Sequence, residues 1–186
     1  MFKFFRRNTE RDDAALELYS AAVRHARLPV YYQRFGVADT PDGRFDMIMV
    51  QVFLLLHRLK HGEQVHQDLA QAVFDVMFAD MDQNLREMGA GDIGVAHRIK
   101  DMAKAFYGRI AVYDAGLAAA DAGELETALG RNLYRKTDPA TEQVGAMARH
   151  IREQAAHLAG QPLETLLQGR VGFLAPDAEG EGDAHA

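Results

Sequence analysis

The 186-residue chain contains no cysteine, which removes disulfides, thiolate nucleophiles and cysteine zinc sites at once. Serine is nearly as scarce. Ser20 stands alone within the first helical pattern, without the elbow motif that exposes an activated hydroxyl, so nucleophilic catalysis lacks its machinery. Long apolar runs are missing as well: the longest uncharged stretch, Met47 to His57, falls well short of the ~20 residues of a membrane-spanning helix. No run of basic residues is long enough to grip a phosphate backbone, and the acids that give a formal charge of −6 are spread along the chain. A nucleic-acid partner is therefore not expected. No window alternates with period two, and no internal repeat is visible.

What remains is a chain that is 48% hydrophobic, enough for one domain with a real core. Residues 1–11 read as a flexible basic and aromatic N-terminus, with Phe2, Phe4 and Phe5 among Lys3, Arg6 and Arg7. No apolar region follows them, so they are not a secretory signal, and the sharper reading is a weak membrane-surface contact. Residues 12–174 form a single helical domain, and residues 175–186, with four acids and no base, form a disordered acidic tail.

Helical spacing accounts for nearly all of the domain. A first helix capped by Asp12 or Asp13 carries Leu16, Tyr19, Val23 and Ala26 and ends before Pro29; a tyrosine-rich connector, extended or a single turn, runs to Val37. The segment GVADTPDGRFD offers Asp39, Thr40 and Asp42 as capping oxygens, with Asp42 favoured. From Phe45 to Leu59 the pattern is apolar almost all round, which predicts a helix buried in the middle of a bundle. Further helices are expected over Glu63–Met88, from Asp92 through Leu117, over Ala122–Leu133, from Asp138–Pro139 to Gly160, and as a last short turn over Pro162–Gln168. The predicted architecture is all-α, an irregular bundle of about six or seven helices with a buried central helix near Phe45–Leu59.

Three constellations invite a chemical reading. Gly89, Gly91 and Gly94 spell a dinucleotide fingerprint, but a helix precedes them where that fingerprint needs a strand, so they read as a helix stop and restart. His57, His61 and His66 could share a metal, yet Gly62 interrupts the helix and Lys60 adds positive charge; they read as solvated or helix-end residues, and no metal site is expected. Asp75, Asp80, Asp82, Glu87 and Asp92 crowd one region without a matched acid and base, as on a solvated face.

The helical wheel is more informative. Asp80 points where Leu69, Val73 and Val76 point, whereas Asp82 and Arg86 lie nearly opposite as an exposed pair. Arg109 adjoins Phe106 and Tyr113 on the next helix and is drawn inward with them. Asp80 and Arg109 are thus expected to meet as an internal ion pair.

At these residues the chain resembles the ubiquinol–cytochrome c chaperone family of cytochrome bc1 assembly factors, in its bacterial form. The runs GVADTPDGRFD, VFLLLHRL, MFADMDQNLREMGAGD and AFYGR carry the resemblance, in order, from about Tyr31 to Leu117. It implies an all-helical, non-enzymatic protein without a cofactor, similar to the mitochondrial factor that receives newly made cytochrome b at the ribosome. Motif positions carried over are Asp39, Asp42, Gly43, Arg44, Phe45, Asp80, Asp82, Leu85, Arg86, Gly89, Asp92, Tyr107, Gly108 and Arg109. Asp82, Arg86 and Tyr107 are the expected partner-binding residues, with Asp82 and Arg86 on the rim of an apolar groove beside the Phe45 helix. The expected client is cytochrome b or another bc1 subunit, with ribosome contact as a further implication. The start of the chain carries no mitochondrial-type presequence, which points to a bacterial cytoplasmic protein, at most peripheral at the inner membrane. Two other classes stay open: a helical carrier of a hydrophobic ligand such as quinone or haem, and a cryptic carboxylate or metal-dependent hydrolase.

Overall fold

The computed structural model describes residues 2–87 and 92–176, and among them are eight helices and no strand. In chain order these are α1 (Phe2–Ala26), α2 (Pro29–Gln33), α3 (Pro41–Leu59), α4 (Gln64–Glu87), α5 (Asp92–Ala118), α6 (Ala122–Asn132), α7 (Thr141–Ala159) and α8 (Leu163–Leu167). Six are long, and α2 and α8 have five residues each. The expected bundle is therefore present, with the tyrosine-rich connector supplying an extra short helix.

The helix α3 is the centre of the molecule. Every residue from Asp46 to Leu55 is buried, and α1, α4, α5 and α7 pack around it. Because each fully buried aliphatic or aromatic side chain contributes roughly 1.5–3 kcal/mol, this one helix supplies a large share of the driving force. In contrast, α5 lies on the flank. It packs against α4 and α6 and touches α3 only lightly.

Two helix starts differ from expectation. α1 begins at Phe2, so Asp12 and Asp13 sit inside a helix rather than at its cap; nothing between Phe2 and Asp13 is a glycine or proline that would stop it. α3 is capped by Thr40, whose Oγ1 accepts from the Gly43 amide at 3.1 Å, with Pro41 in the first turn. Asp42 is thereby one position inside the helix.

Polar groups tie the ends of the bundle together. Arg152 of α7 donates to the carbonyls of Gly116, Leu117, Ala119 and Asp121, occupying the otherwise unpaired C-terminal end of α5. Within the core the Tyr31 hydroxyl meets His25 Nδ1 at 3.2 Å, His150 Nε2 at 3.0 Å and the Gln51 amide at 3.4 Å. After α8 the chain continues outside any helix as a strap, residues 171–176, over His25 and Gln154.

Candidate functional site

The run GVADTPDGRFD builds the N-terminal end of α3. A Cβ at Gly43 would lie 2.1 Å from the Ala38 carbonyl oxygen, so only glycine lets the incoming loop cross this close to the helix. Asp39 takes Arg44 Nε at 2.7 Å, and the Arg44 guanidinium lies 5.9 Å from the centre of the Tyr32 ring. Asp42 is paired with Lys136, which holds its carboxyl below the usual carboxylate range. Phe45 is half-buried against the core. These motif residues shape and anchor a helix start.

One turn further in is a charge that the sequence reading passed over. Asp46 is 3% exposed and binds two arginines: Arg109 Nη1 reaches Oδ1 at 2.6 Å, and Arg135 Nε reaches Oδ2 at 2.9 Å. This hydrogen bond and the nearby charge raise the Arg135 pKa further. The expected pairing of Asp80 with Arg109 is thus replaced by one of Asp46 with Arg109. Arg109, its side chain largely buried, is bound to Asp46, whereas Asp80 is exposed and accepts from the Tyr19 hydroxyl at 2.6 Å. Burial and that carboxylate push the Tyr19 pKa up. The physical reason is position along α4 rather than direction around it. Asp80 points with Leu69 and Val73, but at its level that direction opens on a cleft against α1 lined by Tyr19, Val23 and Arg27.

An apolar opening lies at the other end of α3. A groove of about 340 Å³ runs between α3, α4 and α5, floored by Leu56, Ala70 and Ile110 and walled by Phe74 and Tyr107. The Phe74 and Tyr107 rings sit 5.2 Å apart, and Phe74 also meets Phe78 at 4.5 Å. The polar rim is His57, Lys60 and Asp114: Asp114 takes His57 Nδ1 and Lys60 Nζ, each at 2.6 Å. Burial opposes ionisation of Asp114, but the bonds from Lys60 and His57 outweigh it and hold its pKa below the usual range. His57, in the last turn of α3, is consequently an oriented, half-buried residue, and His66, in the first turn of α4, is buried; both stand at helix ends, as expected, and of the three only His61 is exposed. Among the described residues no group of three or more histidines and carboxylates is placed to hold a metal.

Beside the groove, α5 turns an apolar face outward. Ala105, Gly108, Ala111, Val112 and Ala115 are exposed, Val112 by 44% and the neighbouring Tyr107 by 55%. Gly108 has open space where a Cβ would stand, so among the described residues nothing requires a glycine there.

Of the expected partner-binding residues, Tyr107 lines this groove and Asp82 and Arg86 do not. Those two form their exposed pair at 2.6 Å two turns beyond Phe74 on α4. The groove's rim is therefore His57, Lys60 and Asp114. Leu85 is half-buried nearby. Gly89 lies outside the described residues, and of Asp92 only the backbone, the first residue of α5, is described.

Comparison with known proteins places this architecture. The family described as Ubiquinol-cytochrome C chaperone matches residues 33–173, further toward the C-terminus than the sequence motifs reach. A crystal structure of the Cbp3 homolog from Brucella abortus superposes with a TM-score of 0.83 at 34% identity, covering 95% of this chain and 98% of that one. Ubiquinol-cytochrome-c reductase complex assembly factor 1 of Xenopus laevis is 25% identical over 154 residues, 83% of this chain and 76% of the frog protein. The proteins of the same name from Mus musculus and Homo sapiens align equally well, but the chain spans only about half of each, 52% and 51%. The match over most of its length, on the same helical frame, shows that the chain belongs to the ubiquinol-cytochrome c chaperone family.

Proposed function

We propose that this protein is an assembly chaperone for the ubiquinol–cytochrome c reductase complex and that it shelters a hydrophobic segment of a protein client along α5 and the adjoining groove. The observation that carries the proposal is the outward face of α5. A 27-residue helix on the flank of the bundle exposes Gly108, Val112 and three alanines in line, beside the ring of Tyr107. Small residues let a second helix approach closely, and apolar ones favour a partner with the same character. A mid-helix glycine costs about 0.5–1 kcal/mol relative to alanine, and no internal contact offsets that cost at Gly108. A client backbone crossing there would.

The client in this reading is cytochrome b or another apolar bc1 subunit, received near the ribosome and close to the membrane surface. Among the described residues no helix is long and apolar enough to cross a membrane. The action is steric and non-enzymatic: cover an apolar helix until its own partners arrive, with His57, Lys60 and Asp114 supplying polar contacts at the groove's edge.

The experiment is complementation of a deletion strain. Val112→Asp should lower assembled bc1 complex at least about tenfold, equivalent to ~1.4 kcal/mol lost at the docking face. Glu153→Lys, on the exposed side of α7, should restore it fully, and both purified variants should melt like the parent. Full restoration by Val112→Asp, or unaltered bc1 levels in the deletion strain itself, would refute the proposal.

A further inference from the structure

The strap is held in an unusual way. Gly172 and Leu174, alternate residues of a segment outside any helix, each have both main-chain polar groups taken by side chains of the bundle. Gln161 Oε1 accepts from the Gly172 amide at 2.9 Å, while Gln161 Nε2 donates to the Gly172 carbonyl at 2.5 Å. Gln154 Oε1 accepts from the Leu174 amide and His25 Nε2 donates to the Leu174 carbonyl, both at 2.8 Å. Between them the Phe173 ring stacks on His25 at 4.7 Å and 18°. This is the hydrogen-bond pattern a neighbouring strand would offer, here supplied by two glutamines and a histidine.

Such a grip reads main chain and little else, so it places few demands on side-chain identity beyond the central aromatic. The strap is only partly buried: of residues 171–176 Pro176 alone is buried, Gly172 and Ala175 are exposed, and Gln154, itself fully buried, has an amide nitrogen without a partner among the described residues. Gln51 Oε1, in the same polar cluster, is likewise unpaired. A built site with an idle donor, holding a weakly buried occupant by its backbone, is one in which that occupant can be exchanged.

We propose that the seam between α1 and α7 is a recognition slot for an extended polypeptide, filled in the isolated molecule by residues 171–176 and open to a partner segment with an aromatic residue between two gripped positions. The slot is separate from the α5 face, so the protein carries two binding surfaces of different kind, one for an apolar helix and one for an extended chain. Occupation in cis sets the threshold. A tethered segment competes at high effective concentration, so a partner segment must displace it.

The test uses the full chain and a fluorescein-labelled peptide of residues 170–176. In Gly172→Pro/Leu174→Pro the strap loses both amides that Gln161 and Gln154 accept, and the peptide should bind saturably with an apparent affinity at least about tenfold above that of the parent. Adding Gln154→Leu, or replacing the peptide's phenylalanine with alanine, should abolish the gain. If the double variant does not fold, Phe173→Ala keeps every main-chain contact while removing the ring, and it should bind the peptide between parent and double variant. The proposal is overturned by absence of saturable binding in a folded variant whose residues 171–176 exchange freely with deuterium. Equal binding of a peptide with proline at both gripped positions also overturns it.

Discussion

Replacing Asp46 with alanine tests the central ion triad directly. The carboxylate is 3% exposed and the Arg109 side chain 12%, so removing the first leaves a guanidinium in the interior with, among the described residues, Met49 Sδ at 3.1 Å as its remaining partner. Arg135, at 38% exposure, turns to solvent and adds little. Stranding one buried charge costs about 3–5 kcal/mol. For a domain of this size each kcal/mol lowers Tm by roughly 2–4 °C, so the melt followed by far-ultraviolet circular dichroism should fall by about 6–20 °C. A cycle separates pairing from packing: Asp46→Ala/Arg109→Ala should be less destabilised than the sum of the single variants by on the order of 1–3 kcal/mol. Arg135→Ala alone should cost under about 1 kcal/mol. Additive single effects, or an Asp46→Ala melt within about 2 °C of the parent, would refute the account of Asp46 as a buried charge that needs both helices closed around it.

Gly43→Ala places a Cβ against the Ala38 carbonyl, a backbone atom without freedom to move, and should cost roughly 1–3 kcal/mol by denaturant titration, whereas Gly108→Ala should be neutral or stabilising. Tyr19→Phe removes a single hydrogen bond to an exposed carboxylate and should cost only about 0.5–1.5 kcal/mol, far less than a buried ion pair at Asp80 would require. The pH dependence follows from His25, whose pKa burial lowers against opposing hydrogen bonds to Leu174 and Gln51. Its neutral form is favoured by folding, so stability is fully present above the ordinary histidine range and is lost as pH falls through the depressed folded value. Melts between neutral and mildly acid pH should show this loss, and His25→Gln, which keeps a donor for Leu174 without titrating there, should flatten it.

The central helix was legible because Met47 to Leu55 left no polar face for water, and that pattern has one solution in a bundle. The same logic, carried one residue upstream, points to Asp46: a carboxylate at the head of a helix buried all round cannot reach solvent and must be met by a cation. Arg109 was recognisable as the inward cation; only the choice of carboxylate was at fault. Asp80 misled because it shares the direction of Leu69 and Val73, and a wheel does not say which neighbour stands at a given level of the helix; at that level it is α1, through Tyr19. Arg135 follows α6 in a stretch without helical period, where spacing carries no information. The His57–Asp114 contact and the strap join residues 57 and 149 positions apart, and no local pattern encodes either. Tyr107 entered through the family motif, and the structure supplies its neighbourhood.

The triad also has a consequence for synthesis. Asp46 leaves the ribosome 63 residues before Arg109 and 89 before Arg135. Until Arg109 has emerged, the most apolar helix of the chain carries an uncompensated anion at its head, and burying that head is opposed. The interior is in this way kept from setting prematurely around an incomplete set of helices. A nascent chain arrested between α5 and α6 would have its first arginine and lack its second, and its α3 would seat on the Arg109 side alone.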